Sequence, residues 1–298
     1  MQTPDMQTPA LPADWPFRQH SRHIQCWPHL WHVQDIGSGP TLLLIHGAGG
    51  ATHSFRHLIP GLTGHRIIAL DVSGQGFTVL GDKRRCGLDA IAQDIASLCA
   101  QENWHPAALI GHSAGAAIAL RLAELMPTGA VIGINAAVGQ FEGLQGWIFP
   151  AMARLLALMP FVPTVFSKLA ATPNQVRQLI ASTGSTLDPA GEAQYLQLLR
   201  MPSHVAATLA MMAQWNLDGL VQRLPRLPQP CLFVTASNDR AVPPATSKRV
   251  AAMMPNARWI NLPGFGHLVH EEAAGQVVVL IQDFLALCEP ASPQRNRG

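Results

Sequence analysis

The chain has 298 residues, of which 48% are hydrophobic and 13% charged, so it is too apolar for an intrinsically disordered protein. Its net charge of +2 arises from 20 basic and 18 acidic residues, which excludes the strongly basic surface typical of nucleic-acid binding. We therefore expect a globular protein with a small-molecule partner, built as one main domain with an inserted subdomain.

Residues 1–30 are predicted to form an N-terminal extension. The segment Met1–Pro16 has neither a basic start nor a long apolar stretch, so it is not a secretory signal. The five cysteines of the chain form no Cys-x-x-Cys pair, which suits a reducing compartment. We therefore expect a cytoplasmic protein.

The first part of the core is predicted over residues 31–137, where short apolar runs alternate with helical patterns. A helix is also expected between the first two of these apolar runs, Thr41–Ile45 and Arg66–Leu70. The predicted strands are Thr41–Ile45, Arg66–Leu70, Ala107–Ile110 and Ala130–Ile134, and the predicted helices are Leu88–Gln101 and Ala114–Leu125. Such alternation is typical of an α/β protein with a mostly parallel, buried sheet.

The alternation stops over residues 138–222, which have helical character without a convincing strand and are interpreted as an inserted helical cap. Its most apolar stretch, Ile148–Phe166, is interrupted by three prolines and Arg154, which argues against a membrane-spanning helix. Contact with a membrane surface stays open.

The second part of the core is predicted over residues 223–288, followed by a tail at 289–298. The alternation resumes there with strands at Cys231–Thr235 and Arg258–Asn261 and with helices at Pro244–Met254 and about Glu272–Leu287. The two parts of the core therefore bracket the cap.

A glycine cluster follows the first predicted strand. Gly47-Ala48-Gly49, with Asp71 at the end of the next strand, imitates half of a dinucleotide-binding fingerprint. However, Thr52 occupies the third glycine position and His46 precedes the cluster, so we favour this nucleotide-binding alternative less.

A stronger signal is the pentapeptide of residues 111–115 (Gly-His-Ser-Ala-Gly), which lies between a predicted strand and a predicted helix. This is the context of a nucleophile elbow, in which a tight turn exposes Ser113 and needs small neighbours. The simpler interpretation of the same residues is a glycine-flanked serine that caps a helix.

Two further residues occur in the matching chain order. Asp239 follows the strand after the cap, and His267 follows the next strand. Ser, Asp and His in this order, each in a loop after a strand, are typical of hydrolases with a catalytic triad. Each loop residue alone would more often be a solvated or capping residue.

With these motifs, the sequence resembles the α/β-hydrolase superfamily from about Trp31 to Leu287. The resemblance implies an α/β-hydrolase fold, with a mostly parallel central sheet flanked by helices and an inserted helical cap. It also implies that the backbone N–H groups of Ala48 and Ala114 form the oxyanion hole, and that Asp71 belongs to a structural loop.

Three stretches are similar to the BchO family of magnesium-chelatase accessory proteins of bacteriochlorophyll biosynthesis. They are residues 13–16 (ADWP), 182–189 (STGSTLDP) and 204–215 (HVAATLAMMAQW). No phosphate-binding P-loop occurs, so the chain is not the ATP-driven motor of a chelatase. The resemblance implies a link to photosynthesis and contact with magnesium chelatase or the membrane surface.

The expected activity is that of a serine hydrolase with Ser113 as nucleophile, His267 as base and Asp239 as the acid that orients it. No metal or organic cofactor is implied. The cap is rich in large apolar side chains, which favours a bulky apolar ester or a tetrapyrrole as substrate. The candidate substrate-binding residues are Trp147, Phe149, Met211, Met212 and Trp215. The alternative is a non-catalytic tetrapyrrole-binding protein that assists magnesium chelatase.

Overall fold

The computed structural model describes residues 6–139, 161–165, 167–168 and 171–288. The strands are β1 (Ser21–Cys26), β2 (His29–Gly37), β3 (Thr41–Ile45), β4 (Arg66–Leu70), β5 (Pro106–His112), β6 (Ala130–Ile134), β7 (Cys231–Ala236) and β8 (Ala257–Leu262). The α-helices are α1 (Leu88–Gln101), α2 (Ala114–Leu125), α3 (Val162–Val165), α4 (Pro173–Ser182), α5 (Pro189–Leu199), α6 (Pro202–Gln214), α7 (Asp218–Arg223), α8 (Pro244–Met253), α9 (Val269–Glu272) and α10 (Ala274–Cys288).

Within the described residues, eight strands form one sheet in the order β1-β2-β4-β3-β5-β6-β7-β8. The pairs β1–β2 and β2–β4 are antiparallel, and all pairs from β4 to β8 are parallel. On one side of β3 the next strand along the chain, β4, is its neighbour, and on the other side the chain continues with β5. The strand order therefore changes direction at β3, and open α/β sheets bind ligands outside the carboxyl ends of the strands at such a point. The predicted mostly parallel α/β sheet is confirmed.

The central strands of the sheet are buried on both faces. In β3, Leu43 and Ile45 face a core that is shared with α1, α2 and α8. Leu42 and Leu44 face a second core, which α10 covers from the opposite side. Burial on both faces explains why these strands consist of continuous apolar runs rather than alternating ones.

The structure differs from the expected elements at its N-terminal side. Strand β1 lies within residues 1–30, and neither β1 nor β2 was predicted. The buried positions of β2 include His29, His32 and Gln34, so polar side chains interrupt the apolar pattern that identifies a strand.

The helix expected between β3 and β4 was also predicted wrongly. The structure has two short 3-10 turns there, Thr52–Phe55 and Ile59–Gly61. Pro60 lacks a backbone donor and Gly61 has low helix propensity, so a longer helix is not favoured.

Between β6 and β7, all described regular elements are helices, α3 to α7 and a 3-10 turn at Leu224–Arg226. This helical content agrees with the predicted helical cap. The boundaries of the cap stay a prediction. Among the described helices, none combines the length and the hydropathy needed to cross a lipid bilayer.

The close packing of α2 against β3 can be tested by a substitution at Gly115. An added Cβ at Gly115 would collide with the backbone carbonyl oxygens of Ile45 and His46. We expect Gly115→Ala to lower the free energy of unfolding by about 1–3 kcal/mol in urea denaturation, because backbone atoms cannot move aside cheaply.

Gly275→Ala is the matched control for this substitution. Gly275 is an exposed residue of α10, and the new Cβ would have no other atom within 4 Å. The change should leave stability unchanged or raise it by up to about 1 kcal/mol. Equal effects of the two variants would contradict the packing of α2 against β3.

Candidate active site

Ser113 occupies the turn between β5 and α2 with φ 52° and ψ −118°, a strained conformation for a residue with a side chain. Its backbone N–H donates to the carbonyl of Ile134 in β6 (2.9 Å), and its carbonyl accepts from Ala137 N–H (3.0 Å). A Cβ at Gly111 would collide with the backbone of Gly115. The tight turn therefore depends on small residues at both flanking positions.

Asp239 and His267 lie in loops after β7 and β8 and form a buried pair. The His267 Nδ1–H donates to Asp239 Oδ2 over 2.8 Å. The other carboxylate oxygen accepts from the backbone N–H groups of Ala241 and Val242, both at 2.8 Å. Asp239 and His267 are each only 8% exposed. The carboxylate is thus fixed by the protein on both oxygens and can hold one tautomer and orientation of the imidazole.

The backbone of the loop that carries His267 accepts hydrogen bonds from Asn135, the residue after β6, and from His112 of the pentapeptide. The carbonyl of His267 accepts from Asn135 Nδ2 (2.8 Å) and from His112 Nε2 (2.9 Å). Asn135 Nδ2 also donates to the carbonyl of Gly266 (3.1 Å), and Asn135 Oδ1 accepts from Ala236 N–H (2.9 Å). Asn135 thus connects the loops that carry Asp239 and His267 with the strand beside Ser113.

The sequence analysis did not identify Asn135 or the role of His112. Asn135 directly follows a buried parallel strand, and that position is a signal that could have found it. Burial lowers the pKa of His112 well below its usual value, so the ring is neutral and Nε2 donates to the carbonyl.

The glycine cluster after β3 forms a loop with ordered amides. His46 Nε2 accepts from Val72 N–H (2.8 Å), so its protonated Nδ1 donates to the carbonyl of Gly47 (2.7 Å). Gly49 N–H donates to Gln75 Oε1 (2.7 Å), and Gly50 N–H donates to the Gly47 carbonyl (3.0 Å). The amides of Gly49 and Gly50 are thus engaged within the protein, while Ala48, whose amide the family resemblance implies as an oxyanion donor, is exposed. Ala114 begins α2 directly after the serine.

Asp71 is fully buried and is occupied by protein donors. Its Oδ1 accepts from Thr52 N–H (2.7 Å), and its Oδ2 accepts from Phe77 N–H (2.8 Å) and His32 Nδ1 (2.7 Å). Burial raises its pKa, but the nearby His32 and the hydrogen bonds outweigh burial and lower the pKa to about 2. Asp71 is fully buried and both of its oxygens accept from the protein, so it stabilises its loop and is not accessible to a ribose, which further disfavours dinucleotide binding.

The first cap stretch, residues 182–189, contacts the loops of the acid and the histidine. The carbonyl of Thr183 accepts from Arg240 N–H (3.1 Å) and His267 N–H (3.3 Å). The buried Ser185 Oγ accepts from Leu268 N–H over 2.8 Å. The backbones pass so closely that a Cβ at Gly266 would collide with Gly184. The cap therefore contributes to the position of the histidine.

The second cap stretch, residues 204–215, contacts the glycine loop. His204 Nδ1 accepts from Gly76 N–H (2.9 Å), and Gln75 Nε2 donates to the Met211 sulfur (3.1 Å). The same Gln75 holds the Gly49 amide. Helix α6 of the cap is therefore coupled through one glutamine to the loop of the candidate oxyanion donor.

The N-terminal stretch also bridges the core and the cap. Trp15 is buried, and its Nε1 donates to Thr52 Oγ1 (3.3 Å). Asp14 accepts from Gln197 Nε2 in α5 (3.2 Å). All three stretches that carry the family resemblance thus contact either the loops of the candidate site or the cap.

A network of charged side chains also connects the core with the cap. Arg56 contacts Glu271 of α9 and donates to Asp188 Oδ1 at the start of α5 (3.1 Å). Tyr195, on α5, donates to Glu271 Oε1 (2.8 Å) and lines the cavity described next. A carboxylate beside the histidine loop therefore binds both core and cap side chains.

Ser113 and His267 line one cavity of about 390 Å³ between the core and the cap, near the lower end of ligand-site volumes. Its described lining contains no Asp, Glu, Lys or Arg. The apolar lining residues with large side chains are Val176, Leu179, Ile180, Leu199, Val205, Leu209, Met212 and Leu268. The cavity therefore favours an uncharged, apolar ligand.

The candidate substrate-binding residues separate into three groups. Met212 lines the cavity. Met211 and Trp215 pack against the hydrophobic core, and neither is among the described lining residues. Trp147 and Phe149 lie outside the described residues. All five assignments stay predictions, with Met212 the best supported by position.

Within the described residues, no group of three or more His, Cys, Asp or Glu side chains is arranged to hold a metal ion. The polar groups at the cavity are hydroxyls, imidazoles and backbone amides. These groups suit nucleophilic and general-base chemistry at a carbonyl.

Comparison with known proteins shows the family and the fold. Residues 40–274 match the family model described as alpha/beta hydrolase fold. A magnesium-chelatase 30 kDa subunit of Rhodobacter capsulatus is 44% identical over 279 residues, 93% of this chain and 98% of that protein. A pimeloyl-[acyl-carrier protein] methyl ester esterase of Xanthomonas oryzae is 26% identical, over 86% of this chain and 98% of that protein. The solved structure of a thermophilic esterase from Thermogutta terrifontis has a TM-score of 0.75 at 21% identity, over 91% of this chain and 99% of that chain, and supports the fold alone.

The contact between Ser185 and Leu268 generates a test of the cap's role. Ser185→Ala leaves the buried Leu268 N–H without its acceptor, which should lower the free energy of unfolding by about 1–3 kcal/mol. Amide hydrogen exchange at Leu268 should accelerate as well. Ser182→Ala is the matched control in the same stretch, because Ser182 is exposed; its effect should stay within about 0.5 kcal/mol. Unchanged exchange at Leu268 in Ser185→Ala would count against the contact.

Proposed function

The chain belongs to the α/β-hydrolase family, and we propose that it is a serine hydrolase that acts on an ester or related acyl bond. One observation carries the proposal. Ser113 has the strained backbone of a nucleophile turn and shares a cavity with His267, which is hydrogen-bonded to the buried Asp239. A protein that only binds its ligand has no evident need for a strained serine beside an oriented imidazole.

In the proposed mechanism, Ser113 Oγ attacks the carbonyl carbon of the substrate while neutral His267 Nε2 accepts the hydroxyl proton. Asp239 holds the Nδ1–H and stabilises the imidazolium that forms. The imidazolium then protonates the leaving alcohol, and an acyl-serine remains. Water, deprotonated by the same histidine, attacks the acyl-serine and releases the acid.

The oxyanion of each tetrahedral intermediate is proposed to bind the backbone N–H groups of Ala48 and Ala114. The engagement of the Gly49 and Gly50 amides supports this choice in the first loop. The position of Ala114 at the start of α2 adds the positive end of the helix dipole.

We propose a bulky, apolar ester as the substrate class. The described part of the cavity lining, which carries no Asp, Glu, Lys or Arg, and the position of Met212 support it. Trp147, Phe149, Met211 and Trp215 are retained as proposed cap residues, of which Met211 and Trp215 would act by packing behind the cavity wall. A free carboxylate is disfavoured, because the described lining of the apolar cavity offers it no Lys or Arg side chain as a partner.

A link to magnesium-porphyrin metabolism and contact with magnesium chelatase are proposed on the identity with the magnesium-chelatase subunit. The same relative favours a second candidate, a non-catalytic tetrapyrrole-binding protein that assists the chelatase. The two are separated by titration with magnesium-protoporphyrin and its methyl ester, following tryptophan fluorescence and ester cleavage. Cleavage that is lost in Ser113→Ala supports the enzyme; quenching without cleavage supports the accessory protein.

The proposed triad makes a kinetic prediction for p-nitrophenyl ester hydrolysis. Ser113→Ala should abolish turnover while the protein stays folded, since only one oxygen is removed. Asp239→Asn should lower kcat by about 10³–10⁴-fold, because the histidine loses the acceptor that fixes its tautomer. Ser97→Ala, on the exposed face of α1, is the control and should retain wild-type rates. Activity of Ser113→Ala within a few-fold of wild type would refute the assignment.

A further inference from the structure

The loop of residues 47–50 carries Ala48, whose N–H is the proposed oxyanion donor, and its other three residues are glycines. Glycine adopts many backbone conformations, and Gly49 has a φ of 79°. Such a loop does not fix the direction of an amide by itself. Contacts with the rest of the protein therefore have to orient the Ala48 N–H.

The peptide group between Gly47 and Ala48 is held at its carbonyl. The Gly47 oxygen accepts from His46 Nδ1 (2.7 Å) and from Gly50 N–H (3.0 Å). Because a trans peptide group is planar, the Ala48 N–H points away from these two donors. This first peptide group is therefore fixed by the loop and by the residue that precedes it.

The next peptide group, between Ala48 and Gly49, is held by Gln75. The Gly49 N–H donates to Gln75 Oε1 over 2.7 Å. Gln75 is fully buried, its N–H donates to the Val72 carbonyl (2.8 Å), and its carbonyl accepts from Thr78 N–H (3.1 Å). Since Ala48 lies between two held peptide groups, both of its backbone dihedral angles are restricted. Gln75 thus limits the directions in which the Ala48 N–H can point.

The other end of the same side-chain amide contacts the cap. Gln75 Nε2 donates to the sulfur of Met211 on α6 (3.1 Å). The next residue of the turn, Gly76, donates its N–H to His204 Nδ1 on the same helix (2.9 Å). Helix α6 also lines the cavity. The helix that forms a wall of the cavity therefore also holds the turn that carries Gln75.

We propose that Gln75 is a positioning residue for the reaction: its Oε1 holds the Gly49 amide and thereby keeps the Ala48 N–H directed at the oxyanion. This rests on the proposed function, in which Ala48 is an oxyanion donor. Gln75 is not among the described residues that line the cavity, so it acts through the Gly49 amide. Loss of its acceptor should lower kcat and leave KM nearly unchanged, because the oxyanion forms only after the substrate has bound.

The test compares p-nitrophenyl octanoate with its thionoester, in which sulfur replaces the carbonyl oxygen. Sulfur accepts hydrogen bonds weakly, so an intact oxyanion site should favour the oxygen ester by about 10²-fold in kcat/KM. Gln75→Met removes the acceptor at similar side-chain length, and the preference should fall about tenfold or more. The ratio of two substrates does not depend on the amount of folded protein.

Two further variants test whether the acceptor itself matters. Gln75→Glu keeps an oxygen that accepts from the Gly49 amide in either protonation state, so the preference should stay within about threefold of wild type. Gln229→Met is the matched control, because Gln229 Nε2 donates to the Ala123 carbonyl (3.1 Å) near the amino end of β7, away from the site. Its preference should equal that of wild type. Where Gln75→Met does not fold, Gln75→Asn, which withdraws the amide by one methylene group, takes its place.

Labelling of Ser113 by a fluorophosphonate separates this proposal from the proposed function. A wild-type protein that is not labelled refutes the hydrolase itself. A labelled wild type that does not prefer the oxygen ester overturns the role of Gln75 whether or not the variants fold. A preference that persists in Gln75→Met, or that falls equally in Gln75→Glu, overturns it as well. A preference lost in Gln75→Met and retained in Gln75→Glu supports it.

Discussion

The left-handed backbone at Ser113 is the constraint on which the rest of the site depends. A residue with a side chain adopts that conformation only when its surroundings enforce it. Here the enforcing contacts are the hydrogen bonds from Ser113 to Ile134 in β6 and to Ala137 after it, and the close approach of α2 to β3 at Gly115. They direct the serine to the carboxyl edge of the sheet, where the loops after β7 and β8 bring Asp239 and His267.

The cap does more than cover this edge. Ser185 and Thr183 bind the backbone of the histidine loop, while Gln75 joins helix α6 to the glycine loop. The cap therefore contacts the loop that carries His267 and, through Gln75, the glycine loop that carries Ala48. A family in which these contacts hold would retain similar cap residues, and residues 182–189 and 204–215 are the stretches on which the resemblance rests.

The sequence predicted the features that depend on local pattern. Buried parallel strands appear as apolar runs, and the pentapeptide with its ordered partners identified Ser113, Asp239 and His267 as candidates. It could not predict β2, whose buried positions carry histidine and glutamine in place of apolar residues. It could not distinguish Met211 from Met212 either, because the rotation of α6 against the core decides which of two adjacent methionines faces the cavity. The role of Asn135 depends on hydrogen bonds to residues far along the chain, and its position after a buried parallel strand is the one local signal of that role.

The central claim is that Ser113 is an activated nucleophile in the folded protein. The most direct measurement is to treat the protein with a fluorophosphonate, digest it and identify the modified residue by mass spectrometry. We expect modification at Ser113 that disappears when the protein is unfolded in urea, because activation depends on the assembled loops. Modification at another residue, or none on folded protein, would contradict the account.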